Sequence, residues 1–162
     1  MPANYAELAT GKYYEELEVG AVYRHAITRT VCEADNLLFS ALTYNSAWLH
    51  TDEEYSKAQG HPGRLVNSLF TLSLACGVTV GDTTLGTTQG NLGFSDVKFT
   101  NPVYLGDTLR SETEIIAKRE SKSRPMSGIV EFETRSYNQR DEMVLSFRRT
   151  GMMLKKNPPA AS

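Results

Sequence analysis

The sequence predicts an α+β fold in which one long apolar helix is wrapped by a curved antiparallel β-sheet. Over residues 65–78 the apolar positions (Leu65, Val66, Leu69, Phe70, Leu72, Leu74, Ala75, Cys76) cover far more than one stripe. A helix apolar most of the way round must be covered by other structure. The second half of the chain supplies that cover: Leu109, Ser111, Thr113 and Ile115 alternate with Arg110, Glu112 and Glu114. The same period-two pattern recurs at Val130, Phe132 and Thr134, and again at Met143, Leu145 and Phe147, where Val144, Ser146 and Arg148 face outward. Alternation with charged outer residues marks antiparallel strands buried on one side only. At 162 residues the chain fits one domain with a real core.

Taken in order, residues 13–156 form the domain and residues 1–12 and 157–162, with Pro158-Pro159, are flexible tails. Residues 13–20 lead in and close in a turn. Residues 22–30, rich in β-branched and aromatic types, suggest a strand, and residues 32–42 a helix with Leu37, Leu38, Ala41 and Leu42 apolar. Residues 52–58 suit a short helix capped by Thr51 or Asp52, with Glu53 and Glu54 in its first turn. Turn chemistry separates the later strands at Gly106-Asp107, at residues 125–128 and at residues 138–141. Such a sheet keeps open edges and a bare face, which predicts edge-to-edge dimerisation.

Composition removes several function classes. A hydrophobic share of 40%, a charged share of 22% and a net charge of -2 describe an ordinary globular chain, with no basic surface to displace counterions from nucleic acid. The compact basic groups are only Arg148-Arg149 and Lys155-Lys156. Cys32 and Cys76 form no CxxC and no zinc spacing, and read as two buried free thiols in a reducing cytoplasm. No charged leader and apolar run opens the chain, and residues 65–80 are short of the roughly 20 a membrane span needs. No membrane or nucleic-acid partner is expected.

The residues with chemistry centre on His50. It follows the polar segment Thr43-Tyr44-Asn45-Ser46 between two helices, where a loop can present a catalytic group. Imidazole as a side-chain type titrates near neutrality, as a general acid or base requires. His25 and His61 read as structural or exposed.

Leu49, His50 and Asp52, the long helix, and the intact run Phe99-x-x-Pro102-Val103-x-x-Gly106-Asp107-Thr108-Leu109 together resemble the MaoC-like hydratases and dehydratases. The resemblance spans residues 14–154. It implies a hotdog fold and a hydro-lyase that acts on enoyl or 3-hydroxyacyl thioesters of coenzyme A without cofactor or metal, as a homodimer or higher homo-oligomer. The chain departs from the family pattern at three places: the usual catalytic aspartate falls on Asn45, an Asn-Pro pair on Ala47-Trp48, and the glycine that offers an oxyanion N–H on Ser68. The run from Asp35 to Asn45 and the run Leu65-Val66-Asn67-Ser68-Leu69-Phe70 are similar to a branch that acts on carboxylated, branched substrates of the mesaconyl-CoA or itaconyl-CoA kind.

An amide cannot take a proton at neutral pH but orients a water or a neighbouring ring. Base duty therefore falls on His50, with Asn45 positioning, and the resemblance puts the oxyanion donor at the Ser68 backbone N–H, which any residue but proline supplies. Trp48 lines the acyl pocket or packs its loop; Asn67 contacts substrate or caps the helix. The run from Pro102 to Leu109 reads as structural, and Arg64, Asp82 and Arg124 as solvated charge. Two alternatives stand beside the hydratase. One is a hotdog thioesterase, opposed by the lack of any acid in residues 65–80. The other is a non-catalytic acyl-thioester binding subunit, which rests on Asn45.

Overall fold

The computed structural model describes residues 8–157; residues 1–7 and 158–162 of the expected tails lie outside the described residues. A short 3-10 turn (Tyr14–Glu16) leads to strands β1 (Val22–Arg24) and β2 (Arg29–Thr30). Helices α1 (Glu33–Leu42), α2 (Trp48–Thr51), α3 (Glu53–Ala58), α4 (Ser68–Val78) and α5 (Val80–Thr83) follow. The chain then lays down β3 (Thr88–Phe99), β4 (Thr108–Glu120), β5 (Ser127–Tyr137) and β6 (Met143–Leu154). The sheet order is β1-β4-β5-β6-β3, all antiparallel, with β2 also on β4. This is the expected α+β layout of a long helix against a sheet.

The alternation in β4 and β5 is reproduced residue by residue: Leu109, Ser111, Thr113, Ile115, Val130, Phe132 and Thr134 are all buried. In β6, Val144 departs from the expected outward face and is buried, because the chain after β3 crosses it, with the Thr100 N–H on the Val144 carbonyl at 3.1 Å. One core cluster joins Ala75 of α4 to Val103, Leu109, Leu145 and Phe147. A second gathers Tyr14, Leu17, Ile115, Val130, Phe132 and Met153. There the Tyr14 ring lies so close to Gly128 that a Cβ would come within 2.1 Å of it, so only glycine fits.

Four expectations change. Residues 22–30 form two strands, not one; the break carries His25, whose buried ring meets Asp82 at 3.0 Å and Thr113 at 2.9 Å. The long helix begins at Ser68, because Leu65 and Val66 instead pair in extended form with the Val103–Tyr104 segment. Nor is α4 wrapped on all sides: Leu69, Ser73 and Gly77, one i, i+4 line, are exposed, Leu69 by 53%. Finally, both thiols are free, but Cys32 is exposed and Cys76 half-buried.

The described parts of the expected tails are tied down. Gly11 and Lys12 donate backbone hydrogen bonds to Leu85 and Thr83, each at 2.9 Å, and the Asn157 N–H reaches Glu15. Among the described residues no helix is long and apolar enough to cross a membrane.

Candidate active site

The site is assembled by a buried amide. Asn36, near the start of α1, is 1% exposed and surrounded by backbone from three later segments. Its Nδ2 donates to the His50 carbonyl at 2.9 Å and to the Leu65 carbonyl at 3.2 Å, and its Oδ1 accepts the Asn67 N–H at 2.8 Å. A side-chain amide has two donors and an acceptor, so one residue satisfies all three groups without leaving a buried polar atom bare.

His50 reaches this point through a tight turn. Tyr44 takes a positive φ of 53°, and Asn45 Oδ1 accepts the Ala47 N–H at 3.1 Å, an Asx turn that starts α2. His50 Nδ1 then meets the Leu65 carbonyl at 3.0 Å. A carbonyl only accepts, so Nδ1 carries the proton and Nε2 of the neutral ring is left as a proton acceptor. The Leu65 N–H closes the loop on the Leu49 carbonyl at 3.0 Å.

The start of α4 borders the same cavity. Asn67 caps it, its Oδ1 taking the Leu69 N–H at 3.0 Å and its Nδ2 reaching Ser40 Oγ at 3.3 Å. Among the described residues the Ser68 N–H meets no acceptor, at the end of the helix where the dipole favours negative charge. His50 and Ser68 both line a cavity of about 430 Å³ whose apolar walls include Leu65, Val66, Phe99 and Val103. A general base and an oxyanion donor over an apolar slot can move protons on an acyl chain while steadying an enolate.

Of the residues singled out from sequence, His50 and Ser68 come together. Asn45 stands at the turn before α2, half-buried, and is not part of the cavity lining. Trp48 is 64% exposed and stacks edge-on with Tyr55, centroids 5.3 Å apart, beside a separate shallow groove. Asn67 is buried, with its side chain spent on the helix cap and Ser40. Arg64 is clamped by Glu33 at 2.6 Å and Glu53 at 3.3 Å. Asp82 serves His25, and Arg124 is exposed in the β4–β5 turn.

Two residues went unmarked. Asn36 gave no signal of its own, since its partners lie 14 to 31 positions away. His61, read as structural or exposed, in fact lines the cavity with its Nδ1 3.0 Å from the Tyr104 hydroxyl. Tyr104 sits inside the Pro102–Leu109 motif, whose turn is held by the Asp107 carboxylate on the Tyr104 N–H at 2.9 Å and by Gly106 at φ 89°. Among the described residues no three His, Cys, Asp or Glu side chains gather as a metal-binding set.

Comparison with known proteins assigns the chain to a family. Residues 15–137 match the family model described as MaoC like domain. The chain is 35% identical over 150 residues to the mesaconyl-CoA hydratase of Cereibacter sphaeroides, covering 93% of this chain but 43% of that protein. It therefore spans less than half the length of that curated relative. Among solved structures, the R-hydratase PhaJ1 of Pseudomonas aeruginosa superposes with a TM-score of 0.75 at 26% identity, covering 95% of this chain and 98% of that one. A double-hotdog protein of Mycobacterium tuberculosis superposes with a TM-score of 0.83 at 22% identity, covering 94% of this chain and 47% of that one. The fold is thus the expected hotdog.

Proposed function

Because the chain belongs to the MaoC-like domain family, we propose that it adds water to, or removes water from, an enoyl or 3-hydroxyacyl thioester of coenzyme A. The observation that carries this reading is the shared cavity of His50 and Ser68, with the His50 proton fixed on Nδ1 by the Leu65 carbonyl. In hydration, the water oxygen bonds to the β-carbon while His50 Nε2 takes one water proton. The electron pair of the double bond moves toward the thioester, and its enolate oxygen is held by the Ser68 N–H. The imidazolium then returns the proton to the α-carbon. Elimination retraces the same steps. Asn45 shapes the turn that delivers His50, and Asn67 sets the amide of Ser68. Trp48 packs on Tyr55 beside the turn that delivers His50.

The substrate class we propose is a carboxylated, branched acyl group of the mesaconyl or itaconyl type, in keeping with the 35% identical relative, a mesaconyl-CoA hydratase. We place the protein in the cytoplasm, as a homodimer. The dimer reading draws on β3, an edge strand whose Leu92, Phe94, Val97 and Phe99 are exposed. Among the described residues a thioesterase finds no carboxylate in the cavity lining to act as nucleophile or base.

The test is a panel of enoyl thioesters followed two ways, by loss of enoyl absorbance and by release of free thiol. Absorbance loss without thiol is expected, and His50→Ala should lower kcat at least about a hundred-fold, the scale of general acid–base catalysis. Thiol release at the same rate would turn the reading into a thioesterase. Full turnover by His50→Ala would end the mechanism.

A further inference from the structure

We propose that His61, oriented by Tyr104, selects acyl chains that carry a carboxylate. The inference deepens the hydratase reading and rests on it for the identity of the thioester. It starts from the chemistry of the cavity lining, in which, among the described residues, the only ionisable side chains are the two imidazoles. The other polar groups around the rim are largely spent on backbone: Asn101 Nδ2 donates to the Met143 carbonyl at 2.8 Å, Thr100 Oγ1 donates to that same oxygen, and Thr71 Oγ1 turns back to Asn67. A hydrocarbon acyl chain would press against His61 without giving its ring a partner, and would lose the hydration of that ring.

The two rings differ in what their fixed contacts demand. A carbonyl faces His50 Nδ1, so its remaining nitrogen accepts. A hydroxyl faces His61 Nδ1, and a tyrosine hydroxyl donates as readily as it accepts. With Tyr104 donating, Nε2 of His61 carries a hydrogen; with the ring protonated, it carries one as well. In both of these states the uncommitted nitrogen is a donor, and a carboxylate selects them over the tautomer in which Nδ1 donates to the hydroxyl, because it is the acceptor that rewards the Nε2 hydrogen most. Among the described residues no acidic side chain lines the cavity to repel such a group. The one arginine in the adjoining loop, Arg64, is already clamped by two carboxylates. One wall therefore holds a proton acceptor for the reacting carbons and the other a donor for a distal anion.

The experiment compares two pairs of ligands on the full chain. Binding of methylsuccinyl-CoA and butyryl-CoA, which are saturated and cannot react, is measured by calorimetry. Turnover of mesaconyl-CoA and crotonyl-CoA is measured in parallel. The wild type should bind the carboxylated ligand at least about ten-fold more tightly, the scale on which an unmatched polar group discriminates ligands. His61→Leu should erase that preference and raise KM for mesaconyl-CoA about ten-fold more than it changes KM for crotonyl-CoA. His61→Gln, which keeps an N–H donor, should restore part of the preference. Tyr104→Phe, which leaves the turn backbone intact, should weaken it by a smaller factor. Equal loss on both ligands, no loss on either, or a wild type that prefers butyryl-CoA would overturn the assignment. If no enoyl thioester turns over but the His61-dependent binding preference is present, the hydratase reading falls and the carboxylate site stands.

Discussion

The wall of the cavity that carries His50 is held from beneath by buried amides, whereas the His61 ring, which lines the same cavity, is held by one hydroxyl. Asn36 bonds to the backbone of His50, Leu65 and Asn67 from a position 1% exposed. His61 is half-buried, and its ring contact runs to a tyrosine in a turn. Reaction chemistry needs reacting groups fixed to a fraction of an ångström, and a fully satisfied buried network supplies that rigidity. Recognition of a distal substituent tolerates more play, because a hydrogen bond to an anion is less demanding in angle than a proton transfer. On the proposed reading the difference separates a wall that sets the rate from one that sets the choice of substrate.

The contrast is tested most severely at Ser68. This is the first helical position of α4, and Asn67 before it has φ -56° and ψ 123°, a conformation that a following proline favours. Proline is tolerated at that position because its missing N–H lies outside the helical ladder. Ser68→Pro should therefore remove the proposed oxyanion donor and little else. We expect kcat to fall about a hundred- to a thousand-fold, about 3–4 kcal/mol in the barrier. The denaturation midpoint should hardly move, and Ser68→Ala should keep most of the activity. Unchanged kcat in Ser68→Pro would remove this wall from the chemistry.

Next in size is Asn36→Ala. It strips the buried Asn67 N–H of its acceptor and removes donors from two carbonyls, of which Leu65 keeps His50 Nδ1. A stability loss of about 2–3 kcal/mol in urea unfolding is expected, since buried groups left unpaired cost about 1–3 kcal/mol each. Activity should fall with it, through kcat more than KM. If Asn36→Ala costs no more than Tyr104→Phe, the two walls are built alike after all.

Much of the frame was legible from residue order. Period-two burial in β4 and β5 is a local signal, and each alternating residue lands where the pattern puts it. The long helix was legible in place but not in extent. Leu65 and Val66 are as apolar as the helix proper, and only their pairing with Val103 and Tyr104 makes them extended. β3 left no pattern: Gly90, Gly93 and the polar residues around them erase alternation. It is a strand because β6 pairs with it, through three register irregularities. The site divides in the same way. His50 and Ser68 carry local motifs, while Asn36 and His61 act through contacts distant in sequence, which no local spacing encodes.

The smallest expected effect lies at the root of the fixed wall, at the start of α1. Asp35 accepts the Cys32 N–H at 2.9 Å, closing a capping box, and the Arg29 guanidinium at 2.7 Å. Burial pushes the Asp35 carboxyl up, but the Cys32 N–H and thiol and the Arg29 charge outweigh it and hold the group below the usual aspartate range. A carboxyl whose folded value is depressed stabilises the fold fully above its unfolded value, and that contribution fades as pH falls through the folded one. Asp35→Ala should then cost about 1 kcal/mol at neutral pH, the usual worth of such a cap. The gap to wild type should narrow in acid, read by urea unfolding at neutral pH and at pH near 3. Because Asn36 ties α1 to three segments beyond this turn, kcat at neutral pH should stay within about two-fold of wild type, as for a site held by its own buried bonds. A loss of kcat to match Ser68→Pro would mean that the wall takes its rigidity from the helix start, not from the amide beneath His50.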